Sequence, residues 1–156
     1  MKKMFVFMLL LVTSLCSAES ITGKVVKVKD GDTIVVLDGT MTMVTVRLAG
    51  IDALEKKQDF GTIAKQFVSD QIFGKVITFQ EISKDRYGRT VAFIIYENKN
   101  LSEELLKIGL AWHYVKYDKS KYLQELEDTA RKNKVGLWSL PNPIVPSEFR
   151  AVKTKA

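Results

Sequence analysis

The chain has one cysteine, Cys16, and one histidine, His113. That scarcity removes whole classes of chemistry. There is no histidine pair for acid–base cleavage of a phosphodiester and no Cys/His set for zinc. Once the N-terminal segment is set aside there is no thiol nucleophile and no disulfide, so the domain must hold itself together by its core, and 156 residues suffice for that. Proline is also scarce: all three fall in "LPNPIVP", residues 140–146, where regular structure should break. Any catalysis is left to carboxylates, arginines, tyrosines or a hard cation held by oxygen ligands.

The longest apolar run lies at the start, in "MKKMFVFMLLLVTSLCSAES". Lys2 and Lys3 form a positive n-region, Met4 to Leu15 is too short to span a bilayer comfortably, and "CSA" offers a cut after Ala18. Residues 1–18 are therefore expected to be a signal peptide and the protein to be exported, secreted or periplasmic. Cleavage removes Cys16, and the loss of Lys2 and Lys3 lowers the net charge from +6 to +4. A moderate positive excess suits a polyanion such as nucleic acid but does not demand one.

Behind the leader, residues 19–140 read as one domain. Residues 21–29, 32–38 and 41–49 are rich in Val, Ile, Thr and Leu, with turns at Asp30-Gly31 and Asp38-Gly39, the pattern of a three-stranded antiparallel meander. In "MVTVRLA" Val44, Val46 and Leu48 take one face, Thr45 and Arg47 the other. Phe60, Ile63, Ala64, Phe67, Val68 and Ile72 keep helical spacing up to Gly74. Two further strands, "KVITFQEI" and "TVAFIIY", flank "SKDRYGR"; a second helix covers about Ser102 to Lys107, and a third carries Tyr122, Leu123, Leu126 and Ala130 on one face. Five strands with a helix after the third predict an α+β OB-fold barrel with three α-helices. Residues 141–156 are expected to be an irregular basic tail, with Arg150, Lys153 and Lys155 solvated.

Three charged clusters stand where strands end: Asp30 and Asp32 in "KDGDT", Arg47, Asp52 and Glu55 in "RLAGIDALE", and Asp85, Tyr87 and Arg89 in "DRYGR". Singly, each reads as a turn or a solvated charge, Asp30 most of all. Asp32 is harder to dismiss because it opens an apolar strand. On loops that one barrel brings to one rim, the carboxylates would repel unless a cation neutralised them, and oxygen donors alone favour calcium or magnesium. Two arginines beside them can fork onto phosphate oxygens and stabilise the charge of a five-coordinate transition state.

Four ordered blocks, "VKVKDGDTIVVL", "VRLAGIDALE", "DRYGRTVAFII" and "GLAWHYVKY…GLW", resemble the staphylococcal (micrococcal) nuclease family over roughly Ile21 to Trp138. The resemblance implies a calcium-dependent endonuclease that hydrolyses DNA and RNA and leaves 3′-phosphate ends. It implies Asp32, Asp52 and the main-chain carbonyl of Ala53 as metal ligands, Glu55 as the carboxylate that positions or deprotonates the attacking water, and Arg47 and Arg89 as phosphate-binding catalytic arginines. Tyr87 and Tyr117 match the substrate-binding tyrosines, with Tyr114 fitting only if its loop shifts. Leu54 replaces the usual proline and should loosen the placement of Glu55. The substrates are the only partners implied; a monomer free of the membrane is expected. The alternative is a catalytically inactive OB-fold module that binds single-stranded nucleic acid. His113, Trp112 and Trp138 read more simply as packing residues.

Overall fold

A computed structural model of the protein describes residues 20–153. The expected signal peptide and Lys155 lie outside them. The elements run β1 (Ser20–Val28), β2 (Thr33–Asp38), β3 (Met43–Leu48), β4 (Ile51–Ala53), α1 (Gly61–Ile72), β5 (Val76–Lys84), β6 (Thr90–Tyr96), β7 (Lys99–Asn100), α2 (Leu101–Lys107), β8 (Ala111–His113), α3 (Lys121–Lys132), a 3₁₀ turn (Gly136–Ser139) and α4 (Pro146–Lys153).

The main sheet has the order β3-β2-β1-β5-β6-β7, and β3 also pairs with β6 in parallel, which closes β1, β2, β3, β5 and β6 into the five-stranded barrel the sequence predicts. Alternation fills it: Val25, Ile34, Val36, Val46, Leu48, Ile77, Phe79 and Ile94 point inward and are buried, and α1 and α2 add Ala64, Val68, Ile72, Leu101, Leu105 and Leu106. The helices start where the local chemistry directs. The Asn100 side chain caps α2 by accepting from the Ser102 N–H, and Ser120 caps α3 by accepting from the Leu123 N–H.

Two features depart from the sequence reading. Among the described residues there are four α-helices, not three, because the tail expected to be irregular forms α4 over Pro146–Lys153. Proline at the first helical position and Glu148 in the first turn both suit a helix start, and Pro141 and Pro143 precede the helix instead of breaking it. Leu54 is also not a loosening element. It is 4% exposed and packs with Ala130, Leu137 and Trp138 in a second apolar cluster outside the barrel, so burial fixes a loop that proline would have fixed by φ.

Candidate active site

Register puts the charged residues at one end of the barrel. Thr33 pairs with Arg47 across β2 and β3, so Asp32 lies just before the partner of Arg47; Thr90 pairs with Val46 across β3 and β6, so Arg89 arrives at the same end. The Leu48 N–H donates to the Asp32 carbonyl (2.8 Å), which pins the start of β2 to the end of β3. Asp52 comes from a separate two-stranded sheet, where it pairs with Trp112 while Ile51 pairs with His113. That ribbon explains why a carboxylate sits among apolar neighbours: its backbone is a fully paired strand, and its side chain turns toward the barrel rim.

The charges converge. One nitrogen of Arg47, Nη2, lies 3.2 Å from Asp32 Oδ2 and 3.3 Å from Asp52 Oδ1. Asp32 and Asp52 are 8% and 2% exposed, in surroundings where unpaired carboxylates would be costly. Asp32 is further held by the Thr33 hydroxyl (2.8 Å) and the Ala53 N–H (3.3 Å). Arg89 reaches the same assembly through Thr33, donating to its hydroxyl at 3.1 Å, while Asp85 fixes the guanidinium at 2.7 Å. Burial works against the charged form of Asp85, yet the Arg89 hydrogen bonds, helped by the Tyr87 N–H, outweigh it and hold its pKa below the ordinary carboxylate value.

Burial, then repulsion from Asp32, pushes Asp30 up to about 6. Burial also raises Asp52, against the opposing hydrogen bonds and charge of Arg150 and the charge of Arg47. Asp30 is a turn residue, its Oδ1 accepting the Asp32 N–H at 3.0 Å, and it also adds to the negative potential of the rim.

Of the residues singled out in the sequence, Asp32, Arg47, Asp52, Ala53 and Glu55 share one neighbourhood, with Arg89 joined by one hydroxyl. The two tyrosines flank it. Tyr87 is 69% exposed with the Arg89 guanidinium 5.6 Å from its ring centroid; Tyr117 is 72% exposed and meets Tyr114 edge to face at 4.8 Å. Tyr114 itself lies 5.4 Å beneath the Arg47 guanidinium, so both tyrosines of this turn belong to the rim. His113 is a packing residue, its ring between Gln124 (2.9 Å) and Asp118 (3.1 Å). Trp112 and Trp138 pack edge to face with each other, Arg131 lying over both rings.

Sequence reasoning missed Thr33 and Arg150. Thr33 looked like an ordinary strand residue and is the bridge between Asp32 and Arg89. Arg150, expected in a solvated tail, forks from α4 onto Asp52 (3.0 and 3.3 Å) and Glu55 (2.9 Å). Burial by itself would lower its pKa; the hydrogen bonds to Asp52 and Glu55 override that and raise it above the ordinary arginine value. The helical signature of "PSEFR" was the available clue to its order, but no local signal points across 98 residues to Asp52.

A resident cation is a reasonable tenant on donor chemistry. Among the described residues no three His, Cys, Asp or Glu side chains converge as a ready-made cage. Two carboxylates nevertheless face one another across a single guanidinium nitrogen, and both are nearly dry. An oxygen-only set of this kind suits a hard ion that completes its shell with carbonyl and water oxygens.

Comparison with known proteins gives the family of the chain. Residues 45–140 match the family model described as "Staphylococcal nuclease homologue". A Haemophilus influenzae protein named "uncharacterized endonuclease" is 40% identical over 139 residues, covering 89% of this chain and 78% of the relative. An Escherichia coli O157:H7 protein of the same name is 38% identical over 131 residues, 83% of this chain and 85% of its own length. A Shigella flexneri "micrococcal nuclease" is 36% identical over 158 aligned positions, 94% of this chain and 90% of the relative.

Proposed function

Because the chain belongs to the staphylococcal nuclease homologue family, we propose that it is an exported, calcium-dependent endonuclease, acting as a monomer, that hydrolyses DNA and RNA with little sequence preference and leaves 3′-phosphate ends. The observation that carries the reading is the convergence of Asp32, Arg47 and Asp52 within 3.3 Å contacts, with Glu55 beside them on the arm of Arg150. Neither a sugar-binding face nor a passive single-strand groove has a use for buried carboxylates clamped by guanidiniums.

In this reading Asp32, Asp52 and the Ala53 carbonyl would hold calcium, which when bound would supply positive charge to the site. Glu55 accepts a proton from the attacking water as its oxygen adds to phosphorus. Arg47 and Arg89 hold the phosphate oxygens and match the extra negative charge of the five-coordinate transition state; losing one such donor costs about 3–4 kcal/mol of barrier. Arg89 would also stabilise the 5′ oxygen as its bond to phosphorus breaks, the leaving oxygen taking its proton from a water molecule. Asp85 keeps Arg89 aimed, and the exposed faces of Tyr87 and Tyr117 are available to sugar and base. The leader "MKKMFVFMLLLVTSLCSA" supports export.

The test is digestion of single-stranded DNA and of RNA by the purified protein over a calcium titration, with the ends identified. Cleavage that rises with calcium, stops in EDTA and yields 3′-phosphates is expected. Equal cleavage with and without the chelator would contradict calcium dependence.

A further inference from the structure

The site has a third arginine, and it is built in. Gln58 joins the loop that carries Glu55 to the segment that leads into α4: its Oε1 accepts the Glu55 N–H at 2.8 Å, and its Nε2 donates to the Ile144 carbonyl at 3.0 Å. Leu54, Leu137, Ile144 and Phe149 wall a hollow of about 140 Å³ between the same loop and α4, and Pro146 is buried. Arg150 leaves this anchored helix and spans two carboxylates at once, Nη1 on Glu55 and Nη2 on Asp52. Among the described residues it is the one side chain hydrogen-bonded to the Glu55 carboxylate, which is 38% exposed.

We propose that Arg150 is a positioning residue of the hydrolytic reaction, holding the Glu55 carboxylate beside Asp52 in the orientation from which it can take a proton from water. This rests on the reading of Glu55 given above. A carboxylate is effective as a base only within hydrogen-bond reach of the proton it abstracts, and small misplacements are expensive in rate. A guanidinium suits the task because its planar fork contacts two carboxylates in fixed relation, which a lysine nitrogen cannot reproduce.

The experiment compares wild type, Arg150→Ala and Arg150→Lys, each alone and combined with Glu55→Gln. Steady-state cleavage of DNA, calcium affinity by calorimetry without nucleic acid, and thermal melting are measured. Arg150→Ala is expected to lower kcat by roughly 10- to 100-fold with KM for DNA little changed. It should also bind calcium roughly 3- to 10-fold more tightly, because a positive charge beside Asp52 is gone. Lower kcat with tighter calcium is a split that simple loss of structure does not produce. Arg150→Lys keeps the charge and should return calcium affinity to the wild-type value while kcat stays reduced; it carries the test if the alanine variant does not fold. In the Glu55→Gln background neither change should lower kcat by more than about twofold, since the group it positions is gone.

A kcat at or above wild type in Arg150→Ala would overturn the proposal and make the contact a block on the carboxylates. A raised KM with unchanged kcat would overturn it in favour of phosphate binding, and so would an effect additive with Glu55→Gln. Wild type that cleaves no DNA with calcium would sink the nuclease reading and this inference with it, whereas an active wild type and an equally active Arg150→Ala sink this inference alone.

Discussion

Asp30 shows how much a single residue's role depends on its neighbours. In the sequence it is half of an Asp-Gly turn, and the turn is there; burial and Asp32 then lift its carboxyl to about 6 from an ordinary 3.8. The consequence for stability has a definite sign. Between those two values the folded state keeps a proton that the unfolded chain has released, so the group's contribution to stability falls as pH rises from about 4 through 6. In EDTA, Asp30→Asn keeps the acceptor for the Asp32 N–H and should melt higher than wild type at pH 7. The advantage should fade below pH 4. Parallel melting profiles for the two proteins across that range would show that Asp30 carries no such penalty. The site carboxylates and the arginines Arg47 and Arg89 were legible because charge at the ends of apolar strands has no packing use. Thr33 and Arg150 were not, since a threonine in a strand and an arginine near a terminus have ample ordinary explanations.

At the scale of elements, the barrel strands and the first three helices follow from period-2 and helical patterning, turn pairs and caps, all local signals. What local signals omit is how elements lean on one another at the site. Gly61, the first residue of α1, packs against the Glu55 backbone: a Cβ there would stand 1.9 Å from the Glu55 carbonyl oxygen. Gly61→Ala should therefore push the Glu55 loop away, costing about 1–3 kcal/mol of stability, with activity falling at least roughly tenfold. Gly74→Ala is the control. That residue has φ +74° with open space around it, so the change costs about 1–2 kcal/mol in backbone strain and leaves cleavage intact. Equal cleavage by wild type and Gly61→Ala would show that α1 does not set the loop. The helix α4 was missed for a related reason. The prolines of the tail signal a break when counted singly, and it is the burial of Pro146 and the hollow that Phe149 shares with Leu54 and Leu137 that tie the following residues to the site.

For the whole molecule, the account is of a closed barrel whose rim collects charge of both signs. The barrel end supplies Asp32, Arg47 and Arg89; the β4–β8 ribbon supplies Asp52; the loop after it supplies Glu55; and α4 closes over them with Arg150. Asp32 and Arg89, 57 positions apart in sequence, could be assigned to one rim only once a fold was assumed, and the OB-fold pattern justified that assumption. The central claim is that this rim performs hydrolysis through Glu55. It is tested most directly by single-turnover cleavage of single-stranded DNA by Glu55→Gln at saturating calcium, with DNA affinity measured alongside. The account predicts a rate lower by about 10²–10⁴-fold with affinity kept within a few fold. A Glu55→Gln protein that cleaves at the wild-type rate would contradict it.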